Sequence, residues 1–148
     1  MKNRNIIHSD NWATPKELYD KLNEEFKFDF DPCPLNAEFD GLDPDCIWGN
    51  SNFINPPYSR PLKDEFVKHA IAYTKEKPER ICVMLLPVST STKLFHQHIK
   101  PNATEIRFLE GRVKFLGTNT KGEFVDNKAP MHDSMIVVFG GREKNNVA

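Results

Sequence analysis

The run Asn55-Pro56-Pro57-Tyr58, following directly on the strand-like Asn52-Phe53-Ile54, is the part of this chain best equipped for chemistry. An Asn side-chain oxygen accepts one hydrogen of an NH2 group. A proline ring fixes φ and leaves the residue's carbonyl as its only main-chain hydrogen-bonding group, so a backbone C=O can be aimed at the second hydrogen. The ring of Tyr58 can stack on the heterocycle that carries the amine. An amine held by two acceptors loses conjugation with its ring and becomes more tetrahedral and more nucleophilic. That is what methylation of the exocyclic nitrogen of adenine, of cytosine or of a side-chain amide requires. Asn and Pro also end strands as plain turns, but all four residues in this order, with Ser59 next, favour the chemical reading.

The elements that must position this run are short. Residues 1–11 read as a loose arm, and Trp12-Ala13-Thr14-Pro15 opens a helix, with Thr14 as N-cap and Pro15 at the first helical position. Leu18, Leu22 and Phe26 repeat every fourth residue, giving an amphipathic helix that ends near Glu25. Phe28-Asp29-Phe30-Asp31 alternates as a short strand and is stopped by Pro32 and Pro34. Residues 35–50 carry no clear period and read as loop, and 52–54 as a strand. A helix starts at Pro61, with Leu62, Phe66, Ala70 and Ile71 on one face and Lys63, Asp64, Lys68 and His69 opposite, and Pro78 marks its end.

Arg80–Leu86 is almost continuously apolar, as suits a strand covered on both faces in a parallel sheet. After Pro87, Ser89-Thr90-Ser91-Thr92 leads into a helix through Ile99, followed by strands at 105–109 and 113–116, a polar stretch 117–133, a buried strand 134–139 and a charged tail. Helices alternating with short apolar strands predict an α/β layered domain. Asp31, Asn55 and Pro87 then fall at strand ends, where ligands of such sheets sit.

At 148 residues the chain is one domain, with residues 12–141 folded and 142–148 as a tail. Eleven Phe should dominate its core. A net charge of −1 gives no global attraction for nucleic acid, so any DNA contact must come from a local basic face. Cys33, Cys46 and Cys82 are odd in number and form no Cys-x-x-Cys pair, which argues for free thiols and against zinc. His96 and His98, two apart, face different sides of a helix and would not clamp a metal together; no metal site is expected. Met1-Lys2-Asn3-Arg4-Asn5 is followed by no apolar core of the kind a signal peptide needs, and no stretch approaches membrane-spanning length, so a cytoplasmic protein is expected.

Taken in order, Trp12-x-Thr14-Pro15, Phe30-Asp31-Pro32-Cys33, Asp40-Gly41-Leu42 before Trp48, Asn55-Pro56-Pro57-Tyr58-Ser59, Met84-Leu85-Leu86-Pro87 and Glu105-Ile106-Arg107-Phe108 form a series that resembles the phage-type DNA N6-adenine methyltransferase (Dam) family over roughly residues 10–140. The Asn-Pro-Pro-Tyr element alone is shared by several amino-methylating families; the ordered set is more specific. The resemblance implies a reduced Rossmann-like, S-adenosylmethionine-dependent methyltransferase fold, with a mostly parallel central sheet and flanking helices. It implies that Asp31, with Pro32 and Cys33, approaches the methionine part of the cofactor. Trp12, Thr14 and Pro15 would lie beside it, and Asp40 would reach the adenosine moiety.

On the same grounds, Asn55, Pro56, Pro57 and Tyr58 serve catalysis on a flipped-out adenine of double-stranded DNA, with Asn55 also touching the cofactor. Phe53 or Trp48 could supply a second stacking surface, although Phe53 reads more simply as core. The usual Gly-rich loop is absent, and Asp31-Pro32-Cys33-Pro34 stands in its place. Only Pro32–Ser51 separates Asp31 from the next strand, too little for two further strand–helix units. DNA contacts are expected from Ser59 and from the segment Arg112–Asp133, with Lys114, Lys121, Lys128 and His132; a solvated hairpin is the competing reading of that segment. Methylation of another amine (cytosine N4, RNA adenine, a glutamine amide) and a noncatalytic nucleic-acid-binding relative of the fold are the alternatives.

Overall fold

The computed structural model describes residues 12–35, 37–57, 61–118, 124–126 and 132–142, with the backbone alone for Trp12, 116–118 and 124–126. In chain order the elements are β1 (Trp12–Ala13), α1 (Lys16–Phe26), β2 (Ser51–Ile54), α2 (Leu62–Glu76) and β3 (Ile81–Pro87). A π-helical segment, Leu94–Ile99, then runs into the short α3 (Lys100–Asn102). β4 (Glu105–Phe108), β5 (Leu116–Thr118), β6 (Phe124–Asp126) and β7 (Ser134–Gly140) complete the series.

The main sheet has the order β2-β3-β7-β4, and Phe30 adds an isolated parallel bridge to Asn52 at its outer edge. β2 and β3 are parallel, whereas β7 is antiparallel to both β3 and β4. The architecture is therefore α/β, but the sheet is mixed and not the mostly parallel one expected. The reason is physical: the continuous apolar runs of β3 and β7 report that both faces are covered, and coverage does not encode strand direction. One face carries Ile54, Met84, Leu86, Met135 and Val137 against Phe66, Val67, Ala70 and Ile71 of α2. The other carries Phe53, Val83, Leu85, Ile136 and Val138 against Leu22 of α1 and Phe115. Burying such side chains is worth roughly 1.5–3 kcal/mol each.

The second sheet, β1-β5-β6, is antiparallel. Trp12 and Ala13 belong to it instead of opening a helix, because they pair with Gly117 and Leu116. α1 begins at Lys16, and Pro15, with extended ψ, occupies the cap position with no side-chain capping bond. Thr14 is thus not the N-cap. The expected strand at 28–31 is reduced to the single bridge at Phe30, and the strand expected at 113–116 lies at 116–118.

The connection between Asp31 and β2 is braced along its length. Asp29 Oδ1 and Oδ2 accept from the backbone N–H of Ser51 (3.0 Å) and Asn50 (3.2 Å). The Asn52 amide bonds both ways to Gly49 and donates to the carbonyl of Ile81 (3.0 Å). Trp48 is buried, donates Nε1–H to Gly41 O (2.8 Å), and stacks on His69 with ring centroids 4.4 Å apart. Gly41 lies so close to the chain at Pro32 that a Cβ would stand 1.9 Å from its carbonyl oxygen, so no larger residue fits. This contact folds the loop onto the segment that carries Asp31. No helix among the described residues is long and apolar enough to cross a membrane.

Candidate active site

The parallel arrangement of Phe30, β2 and β3 sends their carboxyl ends to one edge of the sheet. Asp31 follows Phe30, Asn55 follows β2, and Pro87 closes β3. Two of these three chemically loaded ends share one pocket. It is lined by Ala13, Thr14, Tyr19, Asp31, Cys33, Pro34, Leu35, Phe53 and Asn55, and has a volume of ≈ 210 Å³. Pro87 lies outside it, against a separate shallow cleft.

Three interactions set the chemistry of this pocket. First, Asn55 donates from Nδ2 to Thr14 Oγ1 at 3.2 Å. The hydroxyl expected to cap α1 orients the Asn55 amide instead, and since the amide is planar, its oxygen is directed away from Thr14. Second, Asp31 Oδ1 accepts the N–H of Cys33 at 2.8 Å, a local turn that holds the carboxyl in place. Burial dominates over that bond and pushes the Asp31 carboxyl up to about 6. The acid at this strand end is thus a largely desolvated one. Third, Tyr19 meets Phe53 edge-on, with centroids 5.2 Å apart, and together they form an aromatic wall. The Tyr19 hydroxyl is pushed up by burial first and by the Asp31 charge second.

Burial, with the carboxylates of Asp31 and Asp40 adding to it, raises the Cys33 thiol to about 12, so it is an unreactive wall group. Pro32 is buried behind the pocket. Asp40 is not among the pocket's lining residues; its Oδ1 accepts the N–H of Leu42 at 2.9 Å. Pro56 and Pro57 are buried beside Asn55. Trp48, considered as a second stacking surface, is locked in the core between the loop and α2. Phe53 is both core and pocket wall.

Tyr19 is not singled out by the spacing of Leu18, Leu22 and Phe26. The companion spacing 19, 22, 26, which also marks one helix face, carries the signal for it. Arg112 is exposed and pairs with Asp133 at 3.0 Å, while Lys114 and His132 are exposed. Tyr58, Ser59, Lys121 and Lys128 lie outside the described residues, as does the side chain of Trp12. Among the described residues, no group of three or more His, Cys, Asp or Glu is placed to hold a metal ion.

Comparison with known proteins bears on what this pocket serves. The chain is 34% identical over 144 residues to a DNA N-6-adenine-methyltransferase of Haemophilus phage HP1 (strain HP1c1), covering 88% of this chain and 78% of that protein. It is 34% identical over 112 residues to a DNA N-6-adenine-methyltransferase of Escherichia phage T1, covering 68% of this chain and 45% of that longer protein. No solved structure matches it significantly. The sequence profile described as DNA N-6-adenine-methyltransferase (Dam) matches residues 3–146, and the chain belongs to this family.

Proposed function

We propose that this DNA adenine-N6 methyltransferase takes its methyl group from S-adenosylmethionine, with the methionine end of the donor held in the pocket between Asp31 and Asn55. The observation that carries the reading is the meeting of these two residues, from neighbouring strand ends, around one cavity. The chemistry of the donor set fits. A carboxyl kept largely from water gains most from a cationic partner, and the donor's ammonium is one. The cavity of ≈ 210 Å³ is smaller than a site enclosing a whole ligand of that size, and suits one end of it. Asp40, on the loop folded over Pro32, would meet the adenosine end, and Trp12, Pro15 and Cys33 would flank the donor. The fold then reads as a reduced Rossmann-like methyltransferase domain whose mixed sheet keeps the parallel edge where the site stands.

When bound, S-adenosylmethionine supplies a methyl group already activated by its sulfonium. The remaining work of the protein is positioning and polarisation. Adenine N6 is not open to in-line attack inside a duplex, so the base must be rotated out of the stack. The Asn55 oxygen, aimed by the Thr14 hydroxyl, accepts one N6 hydrogen, and a carbonyl of the Pro56–Pro57 pair accepts the second. Tyr58 stacks on the base. Ser59 and the segment 112–133, with Arg112, Lys114, Lys121 and Lys128, contact the DNA around the target.

Transfer of a tritiated methyl group from S-adenosylmethionine to unmodified duplex DNA, followed by nucleoside analysis, tests the reading. N6-methyl-2′-deoxyadenosine as the labelled product supports it. Label in cytosine, or in DNA-free protein alone, would overturn it.

A further inference from the structure

We infer that the hydroxyl of Tyr19 donates a hydrogen bond to the α-carboxylate of the methyl donor, while Asp31 receives its ammonium; this deepens the reading above, on which it rests, that the pocket holds the methionine end of S-adenosylmethionine. That end carries both charges on a single carbon, so a pocket that takes one must also meet the other. Asp31 alone is charged among the described residues that line the pocket, and no Lys, Arg or His joins it. A carboxylate brought there must be met by neutral hydrogen-bond donors, because leaving it unmatched and away from water is costly.

The lining residues offer four side chains with a hydrogen to donate: Thr14, Tyr19, Cys33 and Asn55. Asn55 and Thr14 are bonded to each other at 3.2 Å, and that bond orients the Asn55 amide. A thiol is a weak donor. Tyr19 is different. Its hydroxyl has no hydrogen-bond partner among the described residues, although a Tyr packed into an apolar wall ordinarily finds one. It also stays protonated, since burial first and the Asp31 charge second hold its ionisation above the ordinary range. The pocket thus presents an O–H without an acceptor, and the methionine end brings an acceptor that finds no cation there.

The ring of Tyr19 is held from two sides. Phe53 meets it edge-on with centroids 5.2 Å apart, and Phe28 lies tilted against it at 5.6 Å. Tyr19 N closes the first turn of α1 on Pro15 O (3.0 Å). A clamped ring fixes where its hydroxyl stands, so little freedom is lost when it bonds a ligand. Thr14 and Tyr19 bracket that first turn, which sets the pocket beside the positive end of the α1 dipole, where an anion is favoured. Asp31 supplies the opposite sign: its Oδ1 is held by Cys33 N, and its Oδ2 has no partner among the described residues. Each charge of an amino acid therefore has its own place, the carboxylate toward α1 and the ammonium toward the strand end.

The test is calorimetry on the full chain with two ligands: S-adenosylmethionine, and its decarboxylated form, which keeps the sulfonium, the adenosine and the ammonium. A hydrogen bond to a charged group changes affinity by about 10–100-fold, and wild type should prefer S-adenosylmethionine by that factor. Tyr19→Phe keeps the ring and its contacts with Phe53 and Phe28. It should weaken S-adenosylmethionine by about 10–100-fold and leave the decarboxylated form unchanged, so that the preference is lost. Asp31→Asn should weaken both ligands alike, because both carry the ammonium. Each variant is compared with itself on two ligands, so a general loosening of the pocket moves both affinities together and does not imitate the result. Wild type that binds the two ligands equally overturns the proposal, as does a Tyr19→Phe variant that loses affinity for neither or for both to the same degree. Wild type that binds neither ligand, or an Asp31→Asn change that spares both, overturns instead the reading on which the proposal rests.

Discussion

In Asp31→Asn the carboxyl at the pocket loses its charge but keeps its shape and its bond from Cys33 N, since an amide oxygen accepts as well. A carboxyl moved from 3.8 to about 6 costs the ionised fold about 3 kcal/mol, at about 1.36 kcal/mol per pKa unit. Its folded pKa lies above its unfolded one, so between pH 3.8 and about 6 the folded protein holds the extra proton and stability falls as pH rises through that window. Above about 6 the cost is fully present, and below 3.8 it is absent. Without ligand, the Asn variant should therefore be more stable than wild type at pH 8, by up to about 3 kcal/mol or roughly 6–12 °C in Tm for a domain of this size. The difference should vanish near pH 3.5. With S-adenosylmethionine the order reverses, because the ammonium loses its charge-assisted partner, an interaction worth about 1.5–3 kcal/mol. Calorimetry at pH 8 should then show affinity weaker by roughly 10–100-fold. Wild-type affinity should also fall as pH drops through about 6, while that of the variant stays level. A variant no more stable than wild type at pH 8 would refute the burial argument. Unchanged cofactor affinity would remove Asp31 from the donor site.

Asn55→Ala should lower kcat by about a hundredfold or more without changing the circular dichroism spectrum, as expected for an acceptor that acts on the transition state; near-normal turnover would displace it from catalysis. Thr14→Val should give a smaller loss, near tenfold, by releasing the Asn55 amide from its 3.2 Å bond, and wild-type kcat there would mean that the bond does not orient Asn55. Tyr58→Phe should retain most activity and Tyr58→Ala should lose about 1–3 kcal/mol of base stacking, read with a fluorescent adenine analogue at the target; equal inactivity of both would end the stacking account. Cys33 and Cys82, both raised to about 12 by burial, should resist iodoacetamide at pH 8 in the folded protein, and rapid labelling mapped to either by mass spectrometry would contradict their burial.

Much of this arrangement is legible in the amino-acid sequence. The period of Leu18, Leu22 and Phe26 locates α1, and the apolar runs at 81–87 and 134–140 locate the two central strands. The order strand, Asn, Pro, Pro points to the edge where Asn55 lines a pocket with Asp31. What is hidden depends on contacts distant in sequence. The direction of β7 follows from where the chain returns, and its all-apolar pattern is the same for either direction. The strand at Trp12–Ala13 exists because Leu116 and Gly117 arrive beside it. The Thr14 hydroxyl satisfies the local rule for a helix cap, yet Asn55, far along the chain, takes it. The raised Asp31 carboxyl is illegible for the same reason: the pocket it lines is closed by Thr14, Tyr19, Phe53 and Asn55, which other elements bring to it.

The position of β7 at the centre of the sheet has a consequence for how the protein is made. β3 pairs along its full length with β7, from Ile81↔Gly140 to Pro87↔Ser134, and β4 is joined to the sheet only through β7. A ribosome delivers every other described strand first. Until residues 134–140 emerge, β3 has one unpaired edge and β4 has no partner strand in the main sheet. A nascent or truncated chain stopped before β7 thus exposes the apolar edge of β3 and leaves β4 unpaired, the condition that invites pairing with other chains. Folding of the main sheet waits for its central strand, and premature termination before that strand should yield aggregates instead of a weaker enzyme.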